Sequence, residues 1–368
     1  MMTEANRPAH AGADDTLAAL AAQLEGGACE AVRAQRYLEM PAQRPPWQGT
    51  GLRLRRGECY TLLASGRIHW SARHPHLHGG AGFHLWARIS PGGHIVNLVG
   101  DAGSFVADRD GELELGIYLG MWLSPEGELD TPTAAYARLA GGLAALALVW
   151  RADALAGLAA LEALAPRAAI RRELARLRAP TPRPPGWSYM YETGASDIFR
   201  VCGTGAVPRI CLHAEDAQGI LRKPVSLAVG PDTRLSWRWR LDEHPSRVAE
   251  NSTRSHDYVS VALEFDDGRD LSWIWSSILA PGLTFPCPVP AWSARETHRV
   301  LRSGLAACGQ WLDENCAVAT EVAASLPSPP TRIAAVWLIC VATFQHGTAR
   351  ASFESLALHD GARRIELL

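Results

Sequence analysis

The chain of 368 residues almost lacks lysine: Lys223 is the single one, and arginine supplies the remaining basic side chains. The 36 basic residues nearly cancel the 38 acidic ones, which leaves a formal net charge of -2. This balance gives no reason to expect nucleic acid or an anionic membrane as a partner.

Long apolar runs are also missing. No segment approaches the roughly 18 apolar residues of a membrane span, and the N-terminal stretch MMTEANRPAHAGADD has no apolar core of a secretory signal. The sequence also has no G-x-S-x-G motif, no P-loop and no G-x-G-x-x-G that opens a helix after a strand. We therefore predict a soluble, cytoplasmic protein outside those nucleotide-binding and hydrolase classes.

The eight cysteines are scattered, and none forms a C-x-x-C pair. In the absence of a secretory signal, this scatter favours reduced cysteines that pack as small apolar side chains. The expectation includes Cys202 and Cys211, which lie on strand-like patterns.

What the sequence does contain is alternation. Between Leu235 and Trp275 three segments, LSWRWRL, DYVSVALEF and LSWIW, place apolar residues at every second position. Alternate residues of a strand point to opposite faces, so these are half-buried strands. Asp266, Asp267 and Gly268 predict the turn of a hairpin between the last two. Four tryptophans follow the core face of these strands: Trp237, Trp239, Trp273 and Trp275.

Short strand patterns separated by Gly- and Pro-rich turns also fill residues 46–150. The predicted fold is mainly β: two antiparallel jelly-roll (galactose-binding-like) β-sandwiches joined by a helical connector. The predicted segments are a tail and a short helix at 1–45, a lectin-like sandwich at 46–150, a helical connector and Pro-rich linker at 151–186, and a second sandwich at 187–368. Asp14 or Asp15 is the predicted N-cap of the short helix. The leucine-rich face of 151–178 predicts packing between the sandwiches or the seam of a homodimer.

The segments GECYTLLASGRIHW, GFHLWARI and SFVADRDGELELGIY resemble the domain of calcium-dependent, galactose-specific bacterial lectins. That resemblance implies a jelly roll which binds calcium and sugar through a late loop. The corresponding stretch between Tyr118 and Tyr136 offers oxygen ligands for a hard cation, namely Glu126, Glu128, Asp130 and Thr131.

The segments LSWRWRL, HDYVSVALEF, LSWIW, RIAAVWLICVAT and SFESLAL are similar to an uncharacterised bacterial family, domain-of-unknown-function family 3047. The resemblance implies a galactose-binding-like fold and no particular activity. Relatives carry paired acids where His256 and Asp257 stand here, and an acid-rich loop where this chain has Phe344–Arg350.

Two groups of residues could carry chemistry. The alternating histidines His74, His76 and His78 could hold a divalent transition metal ion, or they form a solvated loop. His256, Asp257 and His346 could act as acid–base catalysts, or they begin a strand and line a loop. The loop from Asp242 to Asp257 adds three candidates for contact with a ligand: His244, Glu250 and Arg254.

Three tryptophans near predicted loops, Trp70, Trp122 and Trp292, are the candidates for stacking on a sugar ring. The first functional hypothesis is therefore binding of a carbohydrate or another small polar ligand. The alternatives are a cytoplasmic biosynthetic enzyme, metal-dependent or not, that acts on a polar or glycosylated metabolite at an inter-domain cleft, and an assembly protein that dimerises through 151–178.

Overall fold

The computed structural model describes residues 11–71, 73–203 and 208–368, with side chains from Leu17 onward. The chain divides into two compact units, Met1–Pro180 and Thr181–Leu368, and each is built mainly of β-strands. The predicted fold class is confirmed. The division falls inside the Pro-rich segment 179–186 that the sequence offered as a linker. No helix of the described residues is long and apolar enough to cross a membrane.

Within its described residues the first unit contains five helices and nine strands. The helices are α1 (Ala11–Glu25), α2 (Ala81–His84), α3 (Thr133–Tyr136), α4 (Ala154–Leu164) and α5 (Ala168–Arg178). The strands are β1 (Val32–Pro41), β2 (Trp47–Leu54), β3 (Cys59–His69), β4 (His78–Gly79), β5 (Leu85–Ser90), β6 (Val96–Asn97), β7 (Ala102–Val106), β8 (Gly111–Ile117) and β9 (Ala140–Trp150).

Two sheets of the first unit enclose one apolar core. The first has the order β1-β9-β3-β4, with β7 also paired to β3, and the second has the order β2-β8-β5-β6. Leu62 and Ala147 of the first sheet and Leu115 and Ile89 of the second belong to the same buried cluster. Because side chains alternate along a strand, the first sheet also has apolar side chains on its other face, which other elements must bury.

Helices α1, α4 and α5 supply that cover. Leu158, Leu161 and Ile170 are buried in one cluster with Leu146 and Leu148 of β9. The apolar face of 151–178 therefore packs on the first sandwich, and the homodimer seam stays a prediction. Two further leucines of the same segment remain partly exposed, Leu155 and Leu164.

The N-terminal 45 residues also differ from the predicted tail and short helix. Helix α1 is present, but Asp14 and Asp15 lie inside it and not before it, and Val32–Pro41 pairs with β9 along its whole length. The sequence of β1 did not predict a strand because many of its residues are polar. An edge strand tolerates them, since it needs apolar side chains on one face only. Residues 1–10 of the expected tail lie outside the described residues.

The part of the second unit that the structure describes contains thirteen strands and one helix, α6 (Val318–Ser325). The strands are β10 (Ser188–Tyr189), β11 (Phe199–Cys202), β12 (Arg209–Glu215), β13 (Gln218–Ala228), β14 (Thr233–Glu243), β15 (Tyr258–Phe265), β16 (Asp270–Ser276), β17 (Thr284–Pro286), β18 (Glu296–Ser303), β19 (Leu312–Ala317), β20 (Arg332–Val341), β21 (Thr348–Asp360) and β22 (Arg363–Glu366).

The strands of the second unit again form a sandwich. One sheet has the order β10-β13-β20-β15-β16-β18-β17, and the other has the order β11-β12-β21-β14-β19, with β22 on β21. The four tryptophans that the sequence assigned to the core are all buried between these sheets. The β15–β16 hairpin and its turn are present, with Gly268 at φ 81°.

One pairing departs from the antiparallel rule: β18 lies parallel to β16, with Glu296 beside Asp270 and His298 beside Ser272. These residues lie on the face of the sheet that points away from the apolar core. That face is also buried, since Asp270, Ser272, Glu296 and His298 are almost without exposed surface.

A disulfide corrects the prediction of reduced cysteines. Cys202 of β11 and Cys211 of β12 are bonded, with their Cα atoms 5.8 Å apart. Antiparallel neighbours bring the two residues together although nine positions separate them, which spacing alone did not reveal. The other six cysteines are free.

Candidate metal centre

The loop from Asp242 to Asp257 is fixed against the second unit by buried polar side chains. The Nε2 of His244 lies 2.8 Å from the carbonyl oxygen of Trp275. The carboxylate of Glu250 accepts hydrogen bonds from the Ser276 hydroxyl and the Ser277 amide. His244 and Glu250 were expected to be free to face a ligand; both are buried and hold the loop, whereas Arg254 is exposed.

His256 follows this anchored stretch, and its ring is buried. Its Nδ1 lies 3.1 Å from the carbonyl oxygen of Glu250, so Nδ1–H donates and Nε2 carries the lone pair. Nε2 points toward the Sγ of Cys287, at 3.4 Å. A histidine whose second nitrogen is held by a backbone carbonyl has the arrangement that is usual for metal ligands.

Glu296 and His298 complete the group. They occupy alternate positions of β18 and so point to the same face. Cys287 follows the neighbouring strand β17 directly. One ligand atom from each of His256, Cys287, Glu296 and His298 lies within 4.8 Å of all the others, and all four residues are buried. These four residues are called the His–Cys–Glu cluster below.

Hydrogen bonds orient the Glu296 carboxylate, whereas the ring of His298 makes none among the described residues. The hydroxyl groups of Tyr258 and Ser272 donate to the Oε1 of Glu296, at 3.1 and 3.3 Å. The Oε2 of Glu296 lies 3.6 Å from the Nε2 of His298. Neither ring nitrogen of His298 has a hydrogen-bond partner among the described residues. A buried imidazole that makes no hydrogen bond is costly unless another group satisfies its nitrogen atoms.

The electrostatics of the cluster favour metal-binding protonation states for two of its members. Burial, together with the adjacent His298, lowers the pKa of His256 to about 3, so this imidazole is neutral. Burial opposes ionisation of Glu296, but His298 and His256 beside it bring the pKa of its carboxyl to about 2. Burial and Glu296 raise the pKa of the Cys287 thiol far above its usual range, so a bound cation would have to displace its proton.

Of the three residues predicted to be catalytic, Asp257 and His346 interact electrostatically, whereas His256 contacts a different group. The carboxylate of Asp257 accepts hydrogen bonds from the amides of Phe344 and Gln345, at 2.9 and 2.7 Å, and burial raises its pKa to about 6. The Nδ1 of His346 lies 2.8 Å from the Oδ1 of Asp216. His256 instead faces Cys287 and His298. The acid–base pair of His256 and Asp257 is therefore not observed, because adjacent residues at a strand start point in opposite directions.

The predicted histidine metal site is not assembled either. Among the described residues the His–Cys–Glu cluster is the one group of three or more His, Cys, Asp or Glu whose ligand atoms converge. His74 and His76 are neighbours, with ring centroids 5.8 Å apart, but His78 lies against His69 instead. Glu126, Glu128 and Asp130, offered as calcium ligands, likewise form no converging group in the described chain.

The tryptophans offered as sugar platforms are mostly covered. Trp122 is 1% exposed and stacks on Trp47, and Trp292 is 6% exposed. Trp70 is half-buried, and its Nε1 donates to the Nε2 of His84 at 2.8 Å. Loop position in the sequence did not predict exposure, because neighbouring loops pack over the rings.

Sequence reasoning identified His256 but missed Cys287, Glu296 and His298. A signal was present: the Glu-Thr-His triplet begins a strand pattern, and alternation places its first and third residues on one face. Nothing in the sequence indicated that this face would be buried or that Cys287 would reach it.

Comparison with known proteins finds a family match in the C-terminal half, where the sequence resembles domain-of-unknown-function family 3047. Residues 188–357 match the family described as a protein of unknown function (DUF3047). This confirms the predicted likeness of the C-terminal half. No curated protein matches the chain.

Similar solved structures include a lectin domain and a xyloglucanase domain. The N-terminal domain of EclA, a PllA-like lectin, is 18% identical, and the match covers 33% of this chain and 98% of that one with a TM-score of 0.26. The xyloglucanase domain of NopAA from Sinorhizobium fredii, in complex with cellobiose, is 7% identical, and the match covers 49% and 96% with a TM-score of 0.31. At these TM-scores neither likeness indicates what this chain binds.

Proposed function

We propose that the second unit binds a divalent transition metal ion, with zinc the best match, through the His–Cys–Glu cluster. The observation that supports this is the convergence of four buried donor atoms within 4.8 Å of one another. Tetrahedral zinc with its usual bond lengths places ligand atoms about 3.3 to 3.8 Å apart. Contraction of the cluster by roughly one ångström around a metal would reach that spacing.

The chemistry of the donor atoms restricts which metal ions the cluster can bind. Two imidazoles, a thiolate and a carboxylate form a mixed N, S and O set, which suits zinc and its neighbours and not the hard cations calcium and magnesium. Two anionic ligands also neutralise a divalent ion, so that the filled site would carry no net charge in its buried surroundings.

The role we propose for the metal is structural. Four protein ligands fill a tetrahedral shell, whereas catalytic zinc sites keep one position open. His256 belongs to the loop 242–257, Cys287 belongs to the segment between β16 and β18, and Glu296 and His298 are on the sheet. A metal bound to all four would fasten both segments to the outer face of the seven-stranded sheet.

Metal analysis of the purified full chain tests this proposal. We expect one equivalent of zinc after equilibration with Zn²⁺, and in the cobalt-loaded protein the visible absorption of a tetrahedral centre with a near-ultraviolet thiolate band. Cys287→Ser removes the thiolate band and His298→Ala lowers the stoichiometry. Cys308→Ser is the matched control and changes neither. Retention of one equivalent by His298→Ala would contradict the proposal.

A second candidate function is binding of a carbohydrate or another small polar ligand by the first unit. A cavity of about 540 Å³ there supports it, lined by Arg33, Arg53, Leu54, Arg55, Glu58, Asp110 and Gly111. This set is called the arginine cleft below. Its volume is within the range of small-molecule sites. The alternative of an enzyme and the cytoplasmic location stay predictions.

A further inference from the structure

The arginine cleft lies at one end of the first unit. It is formed by the start of β1, the turn between β2 and β3, and the turn between β7 and β8. Leu54 is buried, and its neighbours Arg53 and Arg55 are exposed. Arg53 lies near the end of β2 and Arg55 directly follows the strand, and both residues line the cleft.

The charges that line the cleft do not cancel. Arg33 is paired with Glu58 at 3.0 Å and also donates to the carbonyl oxygen of Arg53. No ion pair or hydrogen bond engages the guanidinium groups of Arg53 and Arg55 within the described residues. Two cationic donor groups thus remain for a ligand.

The two carboxylates of the cleft are held by backbone amides. The Oε2 of Glu58 accepts from the amide of Arg55 at 2.8 Å, and the Oδ1 of Asp110 accepts from the amide of Arg56 at 2.7 Å. Each carboxylate has further lone pairs that can accept hydrogen bonds from hydroxyl groups. The cleft therefore combines fixed acceptors with two unpaired cationic donors.

We infer that the arginine cleft binds a small hydroxylated carboxylate, such as a sugar acid, with its carboxylate on Arg53 and Arg55 and its hydroxyl groups on Glu58 and Asp110. The guanidinium fork matches a carboxylate bidentately, which a neutral sugar cannot exploit. Glu58 and Asp110 would repel a polyanion, and three arginines against two acids leave only a small local excess of positive charge. This inference rests on the proposed ligand-binding role of the first unit.

Titration calorimetry of the full chain with sodium glucuronate, glucose and inorganic phosphate tests the inference. We expect glucuronate to bind with a millimolar dissociation constant and glucose to bind at least tenfold more weakly. The double variant Arg53→Gln, Arg55→Gln should lose at least tenfold in affinity for glucuronate. Arg138→Gln, an exposed arginine of the same unit outside the cleft, is the matched control.

The outcomes separate the inference from the role on which it rests. Equal binding of glucose and glucuronate would overturn the carboxylate preference and leave the ligand-binding role intact. Phosphate binding without glucuronate binding would identify a simple anion site and overturn the sugar acid. Unchanged affinity in the double variant would place the site elsewhere, and binding of none of the three would overturn both.

Discussion

The Sγ of Cys287 lies 3.4 Å from the Nε2 of His256, although 31 positions separate the two residues in the chain. His256 belongs to the loop before β15 and Cys287 to the segment after β17. The contact therefore joins two segments that cover the same face of the sheet. If a metal fills this position, its binding energy becomes folding energy for both segments.

The first prediction concerns removal of that metal. Ligand at a thousandfold excess over its dissociation constant stabilises a folded state by about 4 kcal/mol. We therefore expect the unfolding temperature of the zinc-equilibrated chain to fall when a chelator is added. His298→Ala should unfold at the same temperature with and without chelator. An equal chelator response in the variant, measured by scanning calorimetry, would argue against the centre.

The disulfide between Cys202 and Cys211 gives a second prediction. The chain-entropy model assigns about 2 to 3 kcal/mol to a closed loop of roughly ten residues. We expect Cys202→Ser to lower the free energy of unfolding by that amount under oxidising conditions. In the presence of a reductant the variant and the parent should unfold alike, as denaturant titration can show. Cys308→Ser, at a free cysteine, should have no such redox-dependent effect.

A third prediction follows from His84. Its ring is buried, and burial lowers its pKa to about 4 from an ordinary value of 6.5. Between these two pKa values the unfolded chain binds a proton at His84 that the folded chain does not. The contribution of neutral His84 to the free energy of unfolding is therefore fully present above pH 6.5 and is lost as the pH falls toward 4. The decline amounts to roughly 3 kcal/mol. Between pH 7 and 5, His84→Gln should lose less stability than the parent, whereas His94→Gln, at a mostly exposed histidine, should follow the parent.

The fourth prediction separates packing from dimerisation in helix α4. Leu158 is fully buried on the first sandwich, and Leu155 is 38% exposed. Leu158→Ala should reduce the free energy of unfolding by about 2 to 5 kcal/mol. Leu155→Ala should reduce it much less. Neither change should alter the molar mass measured by light scattering, and a shift to a smaller mass in Leu155→Ala would instead support the dimer seam.

Local pattern was sufficient for much of the fold. The alternation around Trp237 and Trp273 predicted strands with a buried face, and Asp267-Gly268 predicted the turn between β15 and β16, because period two and turn chemistry are properties of a few neighbouring residues. The same reasoning failed for β1, whose polar side chains gave no apolar stripe. It did predict the helices of 151–178, but not the surface that they cover, because an apolar helix face does not specify its packing partner.

The candidate site was less accessible to such reasoning. His256 was singled out, but it was paired with Asp257, its neighbour in sequence, when its contacts are with Cys287 and His298. Trp122 and Trp292 are buried and are therefore no longer candidates for sugar binding. The sequence did not predict this, because the exposure of a ring depends on loops that pack over it from elsewhere in the chain. The arginines of the cleft escaped notice because the start of β1 and two separate turns bring the cleft together.

By itself the sequence determined the β-rich class, the identity of the core tryptophans and the family likeness of the C-terminal half, since each depends on residues that are close together in the chain. Only the tertiary structure decided which polar residues meet. The parallel pairing of β16 with β18 sets Glu296 and His298 on a face that two loops then cover, and those loops carry His256 and Cys287. The physical reason is that a metal-type cluster needs side chains within a few ångströms, and distances between remote segments are fixed by packing.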